Sequence, residues 1–184
     1  MDKALEDKIL EEVPADDSAS RGERMLLYWF IRELRPKVVV ETGSHKGLST
    51  LYMAAALHDN KEGHITTADT NPQWNSRGNF AKFPDLLPYI TFHMIEGKQL
   101  AVDNIDFLFL DSFHDKQVVL DEISALFPRL STVATVVFHD CWHGTSDGVN
   151  EAIAQKKLRT IWLPTKNAIR IYSKHPPKMT GPLA

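Results

Sequence analysis

The sequence has one cysteine, no long apolar run and no large excess of charge of either sign. Cys141 alone cannot form a disulfide within the chain, so the fold depends on packing and suits a reducing compartment. No apolar run approaches the roughly 20 residues that a membrane-spanning helix needs. Residues 1–12 are charged throughout and lack the apolar segment of a secretory signal. We therefore expect a cytoplasmic protein with no membrane partner.

The charge balance also argues against a nucleic-acid partner. Lysine and arginine number 21, aspartate and glutamate 24, and the net charge is -3. Proteins that bind nucleic acid by neutralising phosphates usually carry a basic stripe. The nearest candidate is the run Lys156, Lys157 and Arg159, which we interpret as the solvated end of a helix. A chain of 184 residues is long enough for one domain and short for two.

Strand and helix patterns alternate along most of the chain. The predicted strands are 38–41, 64–68, 90–95, 105–110, 133–138, 160–163 and 168–172, and the main predicted helices are 2–12, a helix ending at 34, 49–57, 116–127 and 148–156. Most of these strands are strongly apolar, which is typical of a parallel sheet buried on both faces. We predict a doubly wound, Rossmann-like α/β fold with a seven-stranded, mostly parallel sheet and helices on both faces.

The single domain is expected to have a helical cap at 1–35, an α/β core at 36–173 and a tail at 174–184. Ser18 or Ser20 is the candidate cap of the second helix. That helix contains MLLYWFI, which is apolar on nearly every side, so we expect it to be buried against a sheet.

A glycine loop follows the first predicted strand, and an acid ends the second. The loop contains Gly43 and Gly47, and Asp69 follows Glu41 by 28 residues. Glycines let the backbone approach a ligand closely, and an acid at the end of the second strand can accept both ribose hydroxyls. The spacing is G-x-x-x-G, neither the dinucleotide fingerprint nor a P-loop. Glu41 would repel a pyrophosphate but could hold an ammonium group, directly or through water.

Four segments, in this order, resemble successive motifs of class I S-adenosylmethionine-dependent methyltransferases: VVVETGSHKGLSTLYMAAAL, ITTADTNP, IDFLFLDSFHDKQVVLDEI and VATVVFHDCWHGTSDGV. The closest resemblance is to the small-molecule O-methyltransferase branch that includes macrolide-sugar and catechol-type enzymes, and it spans about 35–172. It implies that S-adenosylmethionine is the methyl donor. The donor-binding residues that follow from it are Glu41, Gly43, Ser44, Gly47, Ser49, Asp69, Gly97, Lys98 and Asp111.

The adenine end of this resemblance departs from the family pattern. After the third strand the family usually has glycine followed by aspartate or asparagine, whereas this chain has Gly97 followed by Lys98. Trp74 and Asn75, in the loop after Asp69, are candidates to border the adenine.

Acids also end the fourth and fifth predicted strands, as Asp111 and Asp140. Two carboxylates a few ångströms apart repel each other unless a cation or a shared proton intervenes. Mg²⁺, which prefers oxygen ligands, would resolve the repulsion. In metal-dependent relatives that these segments resemble, equivalent acids hold a metal that orients a substrate hydroxyl. Asp111 and His114 are the candidate catalytic residues, with His114 as the base because an ordinary histidine pKa of about 6.5 suits this role.

Alternatives remain for several of these residues. His114 could be a loop histidine that hydrogen-bonds to the backbone. Cys141 stands where catechol-type enzymes have asparagine or aspartate, so His143 or a water would have to complete a metal site; His143 could equally be a packed loop residue. Strand alternation predicts that His139 points away from Asp140 and has a structural role.

The resulting prediction is methyl transfer from S-adenosylmethionine to a hydroxyl of a small molecule such as a sugar, a glycoside or a polyketide-like compound, with or without Mg²⁺. A degenerate nucleoside-binding module of the same fold is the alternative that Lys98 and Cys141 favour, and a dinucleotide-dependent oxidoreductase is a third. Substrate walls are sparse because the chain has no large insertion before its last strands. We therefore expect either an open site or one completed by a second subunit in a homo-oligomer.

Overall fold

A computed structural model describes residues 1–15 and 19–174 of the protein. Its α-helices are α1 (Lys3–Glu12), α2 (Arg21–Leu34), α3 (Leu48–Asn60), α4 (Ser76–Ala81), α5 (Lys116–Leu126) and α6 (His143–Lys156). Its strands are β1 (Val38–Thr42), β2 (His64–Ala68), β3 (Ile90–His93), β4 (Ile105–Leu110), β5 (Leu130–Phe138), β6 (Thr160–Leu163) and β7 (Ile169–Ser173). None of the helices in these ranges is long and apolar enough to cross a membrane.

The seven strands form one sheet in the order β3-β2-β1-β4-β5-β7-β6. Strands β1 to β5 are parallel to one another, and β7 runs antiparallel to both β5 and β6. The predicted doubly wound, mostly parallel sheet is therefore confirmed. The direction of winding reverses between β1 and β4, and in such sheets ligands bind at the carboxyl ends of the strands beside this point.

Alternating side chains divide the core into two clusters, one on each face of the sheet. Val39 and Phe109 belong to the cluster that contains α1, α2 and α3, whereas Val40 and Leu108 belong to the cluster with α5 and α6. Helix α3 is buried along nearly its whole length, and its Ala54–Ala56 run has small side chains. These small side chains allow α3 to lie close to both the sheet and α2.

Helix α2 packs mainly against α3 rather than against the sheet, so the expected sheet contact was largely wrong. Leu27 and Ile31 are fully buried, while Trp29 is 51% exposed. The ring of Phe30 reaches towards β4, with its centroid 6.2 Å from that of Phe107. Tyr28 is also buried, and the other apolar side chains of MLLYWFI are partly exposed. One stripe of the helix is therefore enough to cover α3.

Several element boundaries differ from the sequence prediction, among them the starts of β5 and α6. Strand β5 begins at Leu130, and α6 begins at His143, five residues before the predicted start. Glycine lowers helix propensity, yet α6 includes both Gly144 and Gly148. In the structure a Cβ at Gly144 would lie 2.6 Å from the carbonyl oxygen of His114, and one at Gly148 would lie 2.9 Å from Cβ of Val119. These glycines let the start of α6 lie against α5 and the loop before it.

The start of α2 has the predicted serine cap. The backbone N–H of Ser20 donates to Glu23 Oε2 at 2.8 Å, and the Ser20 hydroxyl accepts from the N–H of Glu23 at 3.4 Å, which together form a capping box. Ser18, the other candidate, lies outside the described residues, as does the predicted tail apart from Lys174.

Removing this cap should measurably destabilise the protein. Loss of a serine N-cap costs about 1 kcal/mol, so Ser20→Ala should lower Tm by roughly 2–4 °C in a chain of this size. Ser131→Ala is the control, because that hydroxyl accepts from the N–H of Val133 at the exposed start of β5 and caps no helix. Urea and thermal unfolding of both variants test this expectation. Equal losses in the two variants would contradict a specific role for the cap.

Candidate active site

A cavity of about 520 Å³ opens at the carboxyl ends of the first five strands. Its walls come from five segments that follow these strands: 43–45 after β1, 69–74 after β2, 95–98 after β3, 111–114 after β4 and 139–140 after β5. The side chains of Val118 and Glu122 from α5 complete one wall. The cavity thus lies at the point where strand order reverses.

The glycine loop brings the end of β1 against the loop that follows β4. Gly43 has a φ of 80°, and a Cβ at this position would collide with the carbonyl oxygen of Asp111. Its N–H donates to the carbonyl oxygen of Ala68 at 2.8 Å, which ties the loop to β2 as well. Gly43 and the nearly buried Ser44 line the cavity, whereas Gly47 lies against the ring of Phe80 outside it.

Glu41 lies beneath the glycine loop and is fully buried. Its carboxylate accepts hydrogen bonds from the hydroxyls of Ser49 and Thr67, each at 2.6 Å, and from that of Thr50. Burial raises the pKa of Glu41 to about 7 despite these three donors. Ser49 lines the cavity and Glu41 does not. A ligand group in the cavity would therefore interact with Glu41 through Ser49 rather than directly.

Asp69 lines the cavity at the end of β2, and two backbone N–H groups fix its orientation. Oδ2 accepts from the N–H of His45 at 2.7 Å, and Oδ1 accepts from that of Asn71 at 2.8 Å. Each carboxylate oxygen keeps a further acceptor site. Trp74 also lines the cavity, with its ring centroid 4.1 Å from that of His45, whereas Asn75 lies at the start of α4 outside the cavity. Asp69 can thus accept from two hydroxyls of a ligand.

The wall after β3 contains a buried acid that the sequence analysis did not identify. A Cβ at Gly97 would collide with Oε1 of Glu122, so the glycine leaves room for this carboxyl group. Glu122 is 2% exposed, and its Oε2 accepts from the Thr42 hydroxyl at 3.1 Å. Burial raises the pKa of Glu122 to about 7. Its spacing of three residues from Val119, on the apolar face of α5, was the sequence signal that could have found it.

Lys98, which occupies the atypical position after Gly97, forms ion pairs with two acids. Its Nζ lies 3.2 Å from Oδ2 of Asp121 and 3.2 Å from Oε2 of Glu96. These carboxylates raise the pKa of Lys98. The Lys98 charge is thus balanced at the protein surface.

Two acids and two histidines meet where β4 and β5 end. Leu110 pairs with Phe138, so the next residues, Asp111 and His139, come side by side, with Oδ1 to Nδ1 at 2.8 Å. Asp140 leaves the strand with a φ of 46°, and its Oδ2 lies 3.3 Å from the same nitrogen. The prediction that His139 points away was wrong, because the left-handed turn at Asp140 ends the alternation on which it depended.

His114 closes the open side of this cluster. Its Nε2 lies 2.9 Å from Oδ2 of Asp140 and 3.9 Å from Oδ1 of Asp111, and 55% of its side chain is exposed. The carboxylates of Asp111 and Asp140 raise the pKa of His114 to about 9. At neutral pH His114 therefore carries a proton in this arrangement, which it must lose before it can act as a base. His114 thus contacts the carboxylates of Asp111 and Asp140, and not the backbone as in the alternative interpretation.

Buried charges surround His139 on both sides of its ring. Burial opposes its charge, but Asp111, Asp140 and Glu23 outweigh burial and raise the pKa of His139 to about 12. Its Nε2 lies 3.4 Å from Oε2 of Glu23, an ion pair without good hydrogen-bond geometry. Glu23 also accepts from the N–H of Asn167 at 2.8 Å. The start of α2 is therefore linked to the cluster and to the loop before β7.

The same cluster has the composition and spacing of a metal site. Among the described residues, Asp111, His139 and Asp140 each offer one ligand atom, and these atoms lie within 4.8 Å of one another. Two carboxylates and one imidazole form a mixed oxygen and nitrogen set that suits Mn²⁺ as well as Mg²⁺. Cys141 is buried, and its thiol is directed to the carbonyl oxygen of Phe138 at 3.5 Å. The His143 side chain lies outside the described part of the structure.

A family model described as "Methyltransferase domain" matches residues 40–141, which is more than half of the chain. The match begins in β1 and includes the glycine loop, Asp69 and the whole cluster at the ends of β4 and β5. A comparison with curated proteins finds no match.

Solved structures share the fold at low sequence identity. The SAH-bound Podospora anserina methyltransferase PaMTH1 is 16% identical, with a TM-score of 0.75 over 94% of this chain and 88% of that one. The O-methyltransferase TomG from Streptomyces achromogenes, involved in tomaymycin synthesis and solved with SAM, is 16% identical, with a TM-score of 0.70 over 94% and 90%. An O-methyltransferase from Bacillus cereus in complex with SAH is 14% identical, with a TM-score of 0.75 over 94% and 92%.

The buried Glu41 should make the stability of the protein depend on pH. Its folded pKa of about 7 exceeds the ordinary 4.5, so its contribution to stability is full below pH 4.5 and is lost as the pH rises through 7. Glu41→Gln cannot ionise. The fall in the free energy of unfolding between pH 5 and pH 8 should therefore be smaller in this variant by roughly 2–3 kcal/mol.

Urea unfolding at both pH values measures this difference, and Glu33→Gln, an exposed change on α2, is the matched control. A fall in Glu41→Gln as large as in the wild type would show that Glu41 is ionised in the folded protein at pH 5.

Proposed function

Because the chain belongs to the family that this methyltransferase domain defines, we propose that it transfers the methyl group of S-adenosylmethionine to a hydroxyl of a small molecule. One observation carries the proposal: a single cavity holds both an oriented acid for a ribose, Asp69, and the polar cluster that ends β4 and β5. A nucleoside donor and an acceptor hydroxyl could thus meet in one space. Two structures of the same fold contain SAH and one contains SAM, which supports this choice of donor.

The cavity suits a ligand of this size and chemistry. Its volume of about 520 Å³ lies within the usual range for small-molecule sites. In our proposal Asp69 accepts from the ribose hydroxyls. Ser44 and Ser49 face the methionine portion, and Glu41 acts on its ammonium group through the Ser49 hydroxyl. Gly43 and Gly97 supply close backbone approach, and Lys98 remains at the rim with its acidic partners.

The reaction that the site must support is a displacement at the methyl carbon of the donor. When bound, the donor supplies a methyl group that is already activated by its sulfonium. The chain then has to align the acceptor oxygen with this carbon, exclude water and take up the hydroxyl proton as the new oxygen–carbon bond replaces the sulfur–carbon bond. His114 is accessible and touches Asp140, so it is our candidate for the proton acceptor once it is neutral.

A divalent cation fits the cluster, and we include it in the proposal. Asp111, His139 and Asp140 would hold it, and it would supply Lewis-acid activation of the acceptor hydroxyl. Its charge would also oppose the protonation of His114 and His139, since metal ligands must release their protons. Glu23 would then orient the His139 ring from behind, as acids commonly do for metal-bound histidines.

The acceptor side of the cavity is open. Phe113 lines it with 77% of its surface exposed, which provides an apolar face beside the polar cluster. We propose a sugar, glycoside or polyketide-like acceptor, for which an apolar face and a hydroxyl are both present. The exposed wall is also compatible with completion of the site by a second subunit. A reducing, cytoplasmic location is part of the same proposal, because the one cysteine is buried as a free thiol.

Calorimetric titration with S-adenosylhomocysteine tests the donor assignment. We expect micromolar binding, and Asp69→Asn should weaken it about tenfold or more, since a hydrogen bond to a charged group contributes roughly 1.5–3 kcal/mol. Asp85→Asn, an exposed change of the same kind, should bind like the wild type. An unchanged affinity in Asp69→Asn would remove the ribose assignment. Binding by the wild type with no turnover of any acceptor would favour the degenerate nucleoside-binding module instead.

A second titration, with Mn²⁺ monitored by electron paramagnetic resonance, tests the metal assignment. We expect one bound ion per chain, and Asp140→Asn should lower the affinity at least tenfold because it removes one of the two carboxylate ligands. Asp147→Asn on the exposed side of α6 is the matched control. If Asp140→Asn binds Mn²⁺ like the wild type, the ion does not lie in this cluster.

A further inference from the structure

The least explained group in the cavity is the Glu122 carboxyl. It is 2% exposed, it lines the cavity, and its Oε2 accepts from the Thr42 hydroxyl at 3.1 Å. The other oxygen, Oε1, lies against Gly97, where any side chain would displace it. An acid in such a place is costly to bury, and a buried polar group is normally balanced by a partner. The methyl-transfer chemistry described above does not use it.

Lys98, the basic residue that follows Gly97, does not provide that partner. Lys98 directs its ammonium group to Asp121 and Glu96, at 3.2 Å each. Ser112 also lines the cavity, and its hydroxyl would offer Glu122 a neutral neighbour rather than a counter-charge. Within residues 1–15 and 19–174, no ion pair holds the Glu122 carboxyl group, which lines the cavity.

The position of Glu122 relative to the other site residues indicates which part of a ligand would meet it. Asp69 follows β2, which lies in the sheet between β3 and the strands β4 and β5 that carry the reactive cluster. A planar base attached to a ribose at Asp69 must then lie against the remaining wall. This wall is formed by Ile95, Glu96, Gly97 and Lys98 after β3 and by Val118 and Glu122 of α5. Glu96 and Lys98 pair with each other, so Glu122 is the acid of this wall that has no ion pair among the described residues.

We propose that Glu122 recognises the adenine of the donor by accepting a hydrogen bond from its exocyclic amino group. The inference rests on the proposed function, since it takes S-adenosylmethionine as the donor. Adenine presents an amino donor beside a ring-nitrogen acceptor, and carboxyl and amide groups can pair with such an edge. Glu122 would take over the role of the aspartate or asparagine that the chain lacks after Gly97.

The ionisation behaviour of the group is consistent with this role. With a pKa of about 7, Glu122 is divided between the carboxylate and the neutral acid near neutral pH. The carboxylate accepts from the amino group, and the neutral acid can in addition donate to a ring nitrogen. Both forms therefore fit the adenine edge, and a base without the amino group would lose the interaction that they share.

The test compares two ligands in each of four proteins. The ligands are S-adenosylhomocysteine and its 6-deamino analogue, in which hydrogen replaces the amino group. The proteins are the wild type, Glu122→Leu, Glu122→Gln and the exposed control Glu33→Gln. Calorimetry gives the ratio of the two affinities within each protein, so a loss of overall stability does not affect the comparison.

We expect the wild type and Glu33→Gln to prefer S-adenosylhomocysteine by about tenfold or more. Glu122→Leu should lose this preference, and Glu122→Gln should keep most of it, because an amide oxygen also accepts from the amino group. Equal affinities of the wild type for the two ligands, or a wild-type ratio in Glu122→Leu, would overturn the inference. The first of these results needs no variant, so the test stands even if Glu122→Leu does not fold.

These outcomes are distinct from failure of the proposed function. If the wild type does not bind S-adenosylhomocysteine at all, the proposed donor is wrong and the assignment of Glu122 is overturned with it. If S-adenosylhomocysteine binds but the amino group makes no difference, the donor assignment stands and Glu122 does not recognise adenine.

Discussion

The pairing of β4 with its two neighbours, β1 and β5, decides which side chains meet at the carboxyl edge of the sheet. Parallel pairing brings the ends of all three strands to the same edge, and the register sets Asp111 beside His139 rather than beside Asp140. Gly43 then allows the loop after β1 to reach the backbone of Asp111. The strand pairing and the approach of Gly43 are main-chain contacts, so the position of the strand ends at the cavity does not depend on side-chain conformation.

The site is built on ionisable groups that are buried and that need partners. Glu41 is balanced by three hydroxyls, and Glu23 faces His139 while closing the start of α2. Such groups are expensive to remove from water, and breaking one partner costs more than the pair contributes. The N-terminal helices therefore do more than cover α3: Glu23 connects them to the histidine that lies nearest the candidate metal position.

Much of this arrangement followed from the sequence. Strand ends marked by Glu41, Asp69 and Asp111 located the cavity, because parallel strands bring their carboxyl ends to one edge. The position of His139 could not be predicted, since it depends on the register between two strands distant in sequence and on the left-handed turn at Asp140. The burial of Glu122 could not be predicted for a related reason. Its burial depends on the absence of a side chain at Gly97, in another segment of the chain.

The most direct test of the account is the position of the donor in the cavity. Two-dimensional amide NMR of the isotopically labelled protein during titration with S-adenosylhomocysteine would map it. The account predicts that the largest shifts occur at Gly43, Ser44, Asp69 and Gly97, which lie in the loops after β1, β2 and β3. Shifts confined to another surface, or no shifts at millimolar ligand, would contradict the assignment of this cavity as the donor site.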